Sequence, residues 1–283
     1  MSCVITLTTD CGHRDGYVAA MKGAILSIEP SATIVDITHD VPPQDILHGA
    51  FVLSAAFSYF PQGTVHVAVV DPGVGTDRLA IGVEWRGHRF VAPDNGVTSL
   101  ALAAGADSPA SPAGATHEPY DAPLPAGAVA HELTDSRYHL ADVSSTFHGR
   151  DIFAPVAAHL AAGVPLSRMG PALSSVRRLG LASPSVGKDG TVRCAVIHVD
   201  GFGNLVTSAR REHLPSGACE VEVGGRRIAG LSRSYGDGEG VLALWGGTGY
   251  LEVAVKNGNA SRTLGVSRGD EVVITVAEPH RYG

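Results

Sequence analysis

Two carboxylates in this chain stand directly after apolar, β-rich runs: Asp10 beyond Val4-Ile5-Thr6-Leu7 and a Thr-Thr pair, and Asp71 at the end of Thr64 to Val70. In open α/β sheets the ligand crevice lies outside the carboxyl ends of the strands, so both positions suit binding or acid–base work. Asp71 opens the loop Asp71-Pro72-Gly73-Val74-Gly75-Thr76-Asp77-Arg78, whose two glycines remove the Cβ obstacle to close backbone approach. The loop lacks a Gly-Lys-Ser/Thr ending, and no GxGxxG follows the first β-rich run, so phosphate cradling is not indicated. Taken alone, an Asp after a strand is as often a turn-former or helix cap as a ligand.

His148 lies in Thr146-Phe147-His148-Gly149-Arg150-Asp151, just ahead of a helical segment. Among 13 histidines, a structural or surface role is the ordinary expectation for any single one. Farther on, Asp200-Gly201-Phe202-Gly203-Asn204 gathers a carboxylate, an aromatic ring and an amide. Such a group suits an amino acid, with Asp200 for the ammonium, Asn204 bonding in both directions and Phe202 as a wall. The same residues are also an ordinary β-turn signal. A metal site would draw on Asp10, His13, Asp40 and His48, yet no pair among them has a recognised ligand spacing, and no metal is expected.

Elements must carry these residues. The first half alternates β-rich runs (Val4–Leu7, Thr33–Ile37, Thr64–Val70) with helical periodicity over Gly16 to Glu29 and over Asp45 to Phe60, the latter opened by an Asp45 cap. Nearly continuous apolar strands between helices predict a mainly parallel sheet covered on both faces, a three-layer α/β domain over residues 1–170. Ile152 to Ala162 reads as a further helix. Residues 104–130, rich in Ala, Pro, Gly and Ser, read as a surface loop, and 171–190 as a linker. Over 191–283 the texture changes to short β-rich segments (Val192–Val199, Cys219–Val223, Val241–Leu244, Tyr250–Val255, Glu271–Val276) between Gly-rich turns, the pattern of a smaller antiparallel β-barrel.

Composition narrows the partners. Hydrophobic residues make up 44% and charged residues 17%, enough for a sizeable core, and the formal charge of −7 disfavours nucleic acid or an anionic membrane surface as partner. No apolar stretch reaches the ~18–20 residues of a membrane helix. The first apolar run is too short for a secretion signal, and the 4 cysteines show no CxxC spacing, so a soluble cytoplasmic protein with free thiols is expected.

Several long stretches, in order along nearly the whole chain, resemble the S-adenosyl-L-methionine hydroxide adenosyltransferase family, which is related to fluorinases and chlorinases. They are TLTTDCGHRDGYVAAMKG, IVDITHDVPPQDILHGAFVL, YFPQGTVHVAVVDPGVGTDR, FVAPDNG, TFHGRDIFAP, VDGFGNLVTS and GYLEVAVKNGNAS. The resemblance implies hydrolysis of S-adenosyl-L-methionine to adenosine and methionine by water attack at C5′, without a cofactor. It implies a homotrimer with active sites at subunit interfaces. Position by position, it places Asp71, Arg78 and His148 on the water and Asp10 on the ribose hydroxyls. Asp200 and Asn204 fall on the methionine moiety, Phe202 on the wall of that pocket, and Asn259 and Ala260 on the adenine edge.

Two departures separate the chain from the halogenases in this resemblance. They carry a tyrosine where Asp71 stands, and a carboxylate there repels a halide. Fluorinases also have an insertion before the segment that here runs Trp85-Arg86-Gly87-His88 into Phe90-Val91-Ala92-Pro93-Asp94-Asn95-Gly96. The tryptophan that walls their ribose pocket corresponds here to Gln44. The rival readings are a chlorinase-like, halide-dependent adenosyltransferase and a non-catalytic sensor of adenosine or S-adenosyl-L-methionine. Which of Asp71, Arg78 and His148 takes the proton stays open, because coupled groups titrate as a unit.

Overall fold

A computed structural model describes residues 3–103, 118–180, 183–214 and 219–276. The chain divides into two compact units near residue 180. The first contains β1 (Val4–Thr9), α1 (Tyr17–Ile28), β2 (Thr33–Thr38), α2 (Ile46–Ala56), β3 (Val65–Val69), β4 (Ala80–Trp85), β5 (His88–Pro93) and α3 (Ser99–Ala103). It continues through β6 (Pro119–Pro123), β7 (Val129–Glu132), α4 (Ala154–Ala161), β8 (Ala172–Leu173) and β9 (Ser175–Leu179).

Seven strands form one sheet in the order β2-β1-β3-β5-β4-β7-β8, parallel across β2, β1, β3 and β5 and antiparallel beyond. Val65, Val67 and Val69 of β3 face α1 and α4, packing with Met21, Ile25, Phe153 and Val156. Ala68, Ile81 and Phe90 face the side of α2 and α3, with Leu53, Phe57 and Leu102. The expected three layers are therefore present. Asp45 caps α2 as its position predicts, accepting from His48 N through its side chain. The β4–β5 hairpin turns on Arg86 and Gly87, with φ of +51° and +76°, the left-handed pair that a tight two-residue hairpin demands.

Two expectations need correction. The stretch read as one surface loop, 104–130, carries β6 and the start of β7, while 104–117 lie outside the described residues. The stretch read as a linker, 171–190, carries β8 and β9, which pair with β7 and β6. It also carries β10 (Ser185–Val186), which pairs with the second unit. Pro and Ser punctuation hid these strands. Each is short, without apolar alternation of its own, and is stabilised by the edge it joins.

The second unit adds β11 (Val192–Val199), β12 (Leu205–Arg210), β13 (Cys219–Val223), β14 (Arg226–Ala229), β15 (Val241–Trp245), β16 (Tyr250–Val255), α5 (Ala260–Leu264) and β17 (Glu271–Val276). Its antiparallel order is β14-β13-β17-β11-β12-β16-β15. Just past β14, Ser232 N donates to Ala243 O of β15 at 2.8 Å, which brings the two ends together into a nearly closed barrel. Alternate residues such as Val192, Val196, Val221, Val253 and Ile274 fill the interior. No helix among the described residues is long and apolar enough to cross a membrane.

Within the first unit, His66 of β3 is fully buried between Thr6 Oγ1 (2.8 Å from Nδ1) and His88 Nδ1 (3.1 Å from Nε2). Burial, reinforced by His88, pushes the His66 pKa down to about 3. The unfolded chain takes up a proton near pH 6.5 that the folded chain refuses, so stability is unaffected above that pH and is lost as pH falls from ~6.5 towards ~3. Chemical denaturation at pH 7 and pH 5 should therefore show up to about 2 kcal/mol more loss in the native chain than in His66→Gln. Equal losses would remove His66 from the acid response.

Candidate active site

β1 and β3 lie side by side and parallel, Thr9 opposite Val69, so Asp10 and Asp71 emerge at the same edge of the sheet. The chain runs from β1 out to β2 and then back past β1 to β3. This reversal of strand order is where open α/β sheets leave a crevice. Asp10 is held there by the backbone of Gln44, whose N–H donates to Oδ2 at 2.8 Å. Gln44 itself sits at φ +68°.

The Asp71 loop doubles back through two tight turns, Val74 N to Asp71 O and Thr76 N to Gly73 O. It delivers Arg78 onto the carboxylate from which it started. Arg78 Nε lies 3.0 Å from both Asp71 oxygens, and Nη2 lies 2.6 Å from Oδ2. The same Nη2 lies 2.6 Å from His148 Nδ1. The Asp71 and Arg78 side chains are only 5% and 10% exposed, and the guanidinium lies over the Phe153 ring at 5.3 Å. Guanidinium carries donors only, so Nδ1 of His148 is the acceptor and the ring is neutral in this arrangement. Burial first, and then Arg78, lower the His148 pKa, against the opposing pull of Asp71 and Asp151.

His148 is positioned by a π-helical turn, Gly149–Phe153, that leads directly into α4. Extra residues in a helical turn of this kind re-aim a side chain and recur at functional sites. Gly75, at φ +77°, allows the Asp71 loop to rest on the segment before His148. A Cβ there would stand 2.5 Å from Ser145 O.

In the second unit, a cavity of about 570 Å³ is lined by Asp200, Phe202, Asn204, Tyr235 and Lys256 among others. The turn expected of the Asp200 segment is visible in its geometry. Asp200 accepts from Phe202 N, Asn204 N and Asn204 Nδ2 at 2.9, 2.8 and 2.9 Å, which makes the turn. The same turn leaves Phe202 80% exposed at the cavity. Asn259 and Ala260 do not line that cavity. Asn259 Oδ1 caps α5 through Arg262 N at 2.8 Å, and Ala260 is fully buried. Tyr235, bonded to Glu252 at 2.8 Å, is a lining residue that sequence reasoning missed. Its one signal was an aromatic ring isolated in a Gly-rich polar run. Of the four residues weighed as metal ligands, His13 stands edge-on to the His39 ring at 5.1 Å. Among the described residues, no three His, Cys, Asp or Glu side chains form a cation-holding group.

Models of the SAM hydroxide adenosyltransferase N-terminal and C-terminal domains match residues 5–170 and 194–273. A protein named (R)-S-adenosyl-L-methionine hydrolase from Salinispora tropica is 41% identical, the alignment covering 96% of this chain and 97% of the relative. One of the same name from Thermus thermophilus is 40% identical over 92% and 95%. A fluorinase from an Actinoplanes species is 28% identical over 75% and 73%. A crystal structure of an uncharacterised conserved protein from Thermotoga maritima superimposes with a TM-score of 0.82 at 35% identity, covering 96% of this chain and 99% of that one.

The contact between the two loops gives a prediction. Gly75→Ala forces a side chain into left-handed backbone and against Ser145 O. The loops should part, with unfolding free energy lowered by about 1–3 kcal/mol and turnover reduced. Denaturant titration beside an activity assay checks this, and an unchanged midpoint with unchanged turnover would show that the contact is not needed.

Proposed function

The chain belongs to the SAM hydroxide adenosyltransferase family, and from that premise we propose that it is an S-adenosyl-L-methionine hydrolase that releases adenosine and L-methionine. The observation that carries this reading is the partly buried Asp71–Arg78–His148 group at the strand-end crevice. The named relatives support the (R)-sulfonium epimer as the substrate.

The sulfonium is already a good leaving group, so methionine departs as a neutral thioether without an acid. Water is the weak partner. Its oxygen attacks C5′, the C5′–S bond breaks with its electron pair passing to sulfur, and the water proton goes to a base. The hydrogen bonding favours Asp71 as that base. The Nδ1 lone pair of His148 is occupied by Arg78, whereas a carboxylate has further lone pairs beyond those facing the guanidinium. Arg78 then stabilises the hydroxide as it forms, and His148 holds Arg78 in place. Opposite charges cancel in the transition state, so a site with little water favours it over bulk solvent. Asp71 also weighs against the halogenase reading, because its charge repels a halide.

Asp10 is assigned to the ribose hydroxyls, Asp200 and Asn204 to the methionine moiety, and Asn259 and Ala260 to the adenine edge. No metal or cofactor is needed. The burial of Ala260 leaves only its backbone for that contact. Phe202, exposed at the cavity, is assigned to its wall. A homotrimer with interfacial sites follows from family resemblance, and sedimentation with dilution assays would contradict it by finding an active monomer. Free thiols at Cys3, Cys11, Cys194 and Cys219 support a reducing, cytoplasmic setting.

Incubation with each sulfonium epimer in heavy-oxygen water is expected to release adenosine labelled at the 5′-hydroxyl, faster from the (R) form. Absence of turnover would leave a binding protein, and 5′-halo-5′-deoxyadenosine formed with halide would indicate the halogenase. Asp71→Asn keeps size but removes basicity. Its kcat should fall by about two to four orders of magnitude while calorimetric affinity changes little. Retained kcat with lost affinity would make Asp71 a binding residue instead.

A further inference from the structure

Asp151 has no part in the reaction as described, yet its side chain is completely buried. It sits on the π-helical turn, three residues beyond His148. Oδ2 accepts from Ser144 N at 2.9 Å and Ser144 Oγ at 2.7 Å, and Oδ1 accepts from Arg150 Nε at 2.6 Å. Ser144 Oγ in turn accepts from Phe147 N at 3.1 Å, and Phe147 O accepts from Arg150 N and Asp151 N, both at 3.1 Å. These bonds close a ring around the backbone on both sides of His148. Buried carboxylates are costly unless their lone pairs meet donors, and here two of the three donors belong to Ser144, in the segment that leads into His148.

A neutral imidazole can present either nitrogen as acceptor, and what surrounds the ring selects between the two forms. Arg78 reaches only Nδ1. We propose that Asp151, acting through Ser144, is a positioning residue that orients the His148 ring with Nδ1 bare towards Arg78, and so aims the guanidinium at Asp71. The path runs without a gap from Asp151 to Ser144, through the backbone to His148, and on to Arg78 and Asp71. The Ser144 main chain also interacts directly with the His148 ring. Ser145 O, the next residue's carbonyl, lies close against Gly75 in the loop that carries Arg78, so the segment that Asp151 holds borders both arms of the site. This proposal rests on the reading of Asp71, Arg78 and His148 as the water-activating group.

Imidazole nitrogen NMR on the full-length protein tests it, because ring protonation is read without any reaction. The native chain should show His148 as one tautomer, protonated at Nε2. Ser144→Ala and Asp151→Asn should each give a mixture of tautomers, with kcat lower by about 10- to 100-fold and KM within about twofold, the scale at which groups that orient a functional histidine act. Ser144→Thr retains the hydroxyl and should restore both the single tautomer and the rate. If Asp151→Asn fails to fold, the Ser144 pair carries the test. Folded variants whose His148 nitrogens match the native chain would overturn the proposal, even with slower turnover. Mixed tautomers in variants of a chain that releases no adenosine would uphold the positioning role and remove the hydrolase reading instead.

Discussion

A guanidinium has five N–H donors and no acceptor, and that asymmetry dictates the state of everything around Arg78. Both neighbours must accept: Asp71 as an anion and His148 through a bare Nδ1. Were His148 protonated, two cations would face each other at 2.6 Å in a largely buried place. The site is therefore organised around one shared cation, which neutralises the Asp71 carboxylate and holds the neutral ring in place. In the proposed reaction that position also suits the charge that grows on an attacking water.

The rest of the first unit can be understood as the means of bringing residues 71, 78 and 148 together. Parallel pairing of β1 and β3 sets Asp10 and Asp71 at one sheet edge. Two turns bring Arg78 back to Asp71, and the π-helical turn ahead of α4, which packs with α1 against the sheet, presents His148 to Arg78. Burying an ion pair is not an economical way to gain stability, since desolvation offsets much of the attraction. Retaining one beside a histidine of lowered pKa, at a strand-order reversal, is the setting from which the proposed catalytic reading is drawn.

The second unit is built around a different feature, the cavity beside Asp200. Its Asp200 carboxylate works inwardly as the hub of a turn and outwardly as one wall of a cavity. A single residue can do both because a carboxylate offers about four lone-pair sites, and the turn occupies three donors' worth. Asn259 divides its functions similarly. Its oxygen caps α5, and its amide group packs over Gly203, where a Cβ would stand 2.0 Å from Nδ2.

Much of this was legible from residue types alone. Apolar runs with their periodicity located β1, β2, β3, α1 and α2 and most barrel strands, and Asp45 marked the start of its helix, because burial and capping act over a few neighbouring residues. Strand-end carboxylates located Asp10 and Asp71 for the same reason. Strands β6, β8 and β9 were invisible, since each is stabilised by a partner distant in sequence. Tyr235 was missed likewise, its wall position depending on a bond to Glu252. The sequence by itself determined which side chains were available and which sheet edge they would occupy. Only the tertiary structure decided that Arg78 lies between Asp71 and His148, with the Nδ1 lone pair engaged. Hydrogen bonds have direction and range of about 3 Å, and spacing along a chain specifies neither.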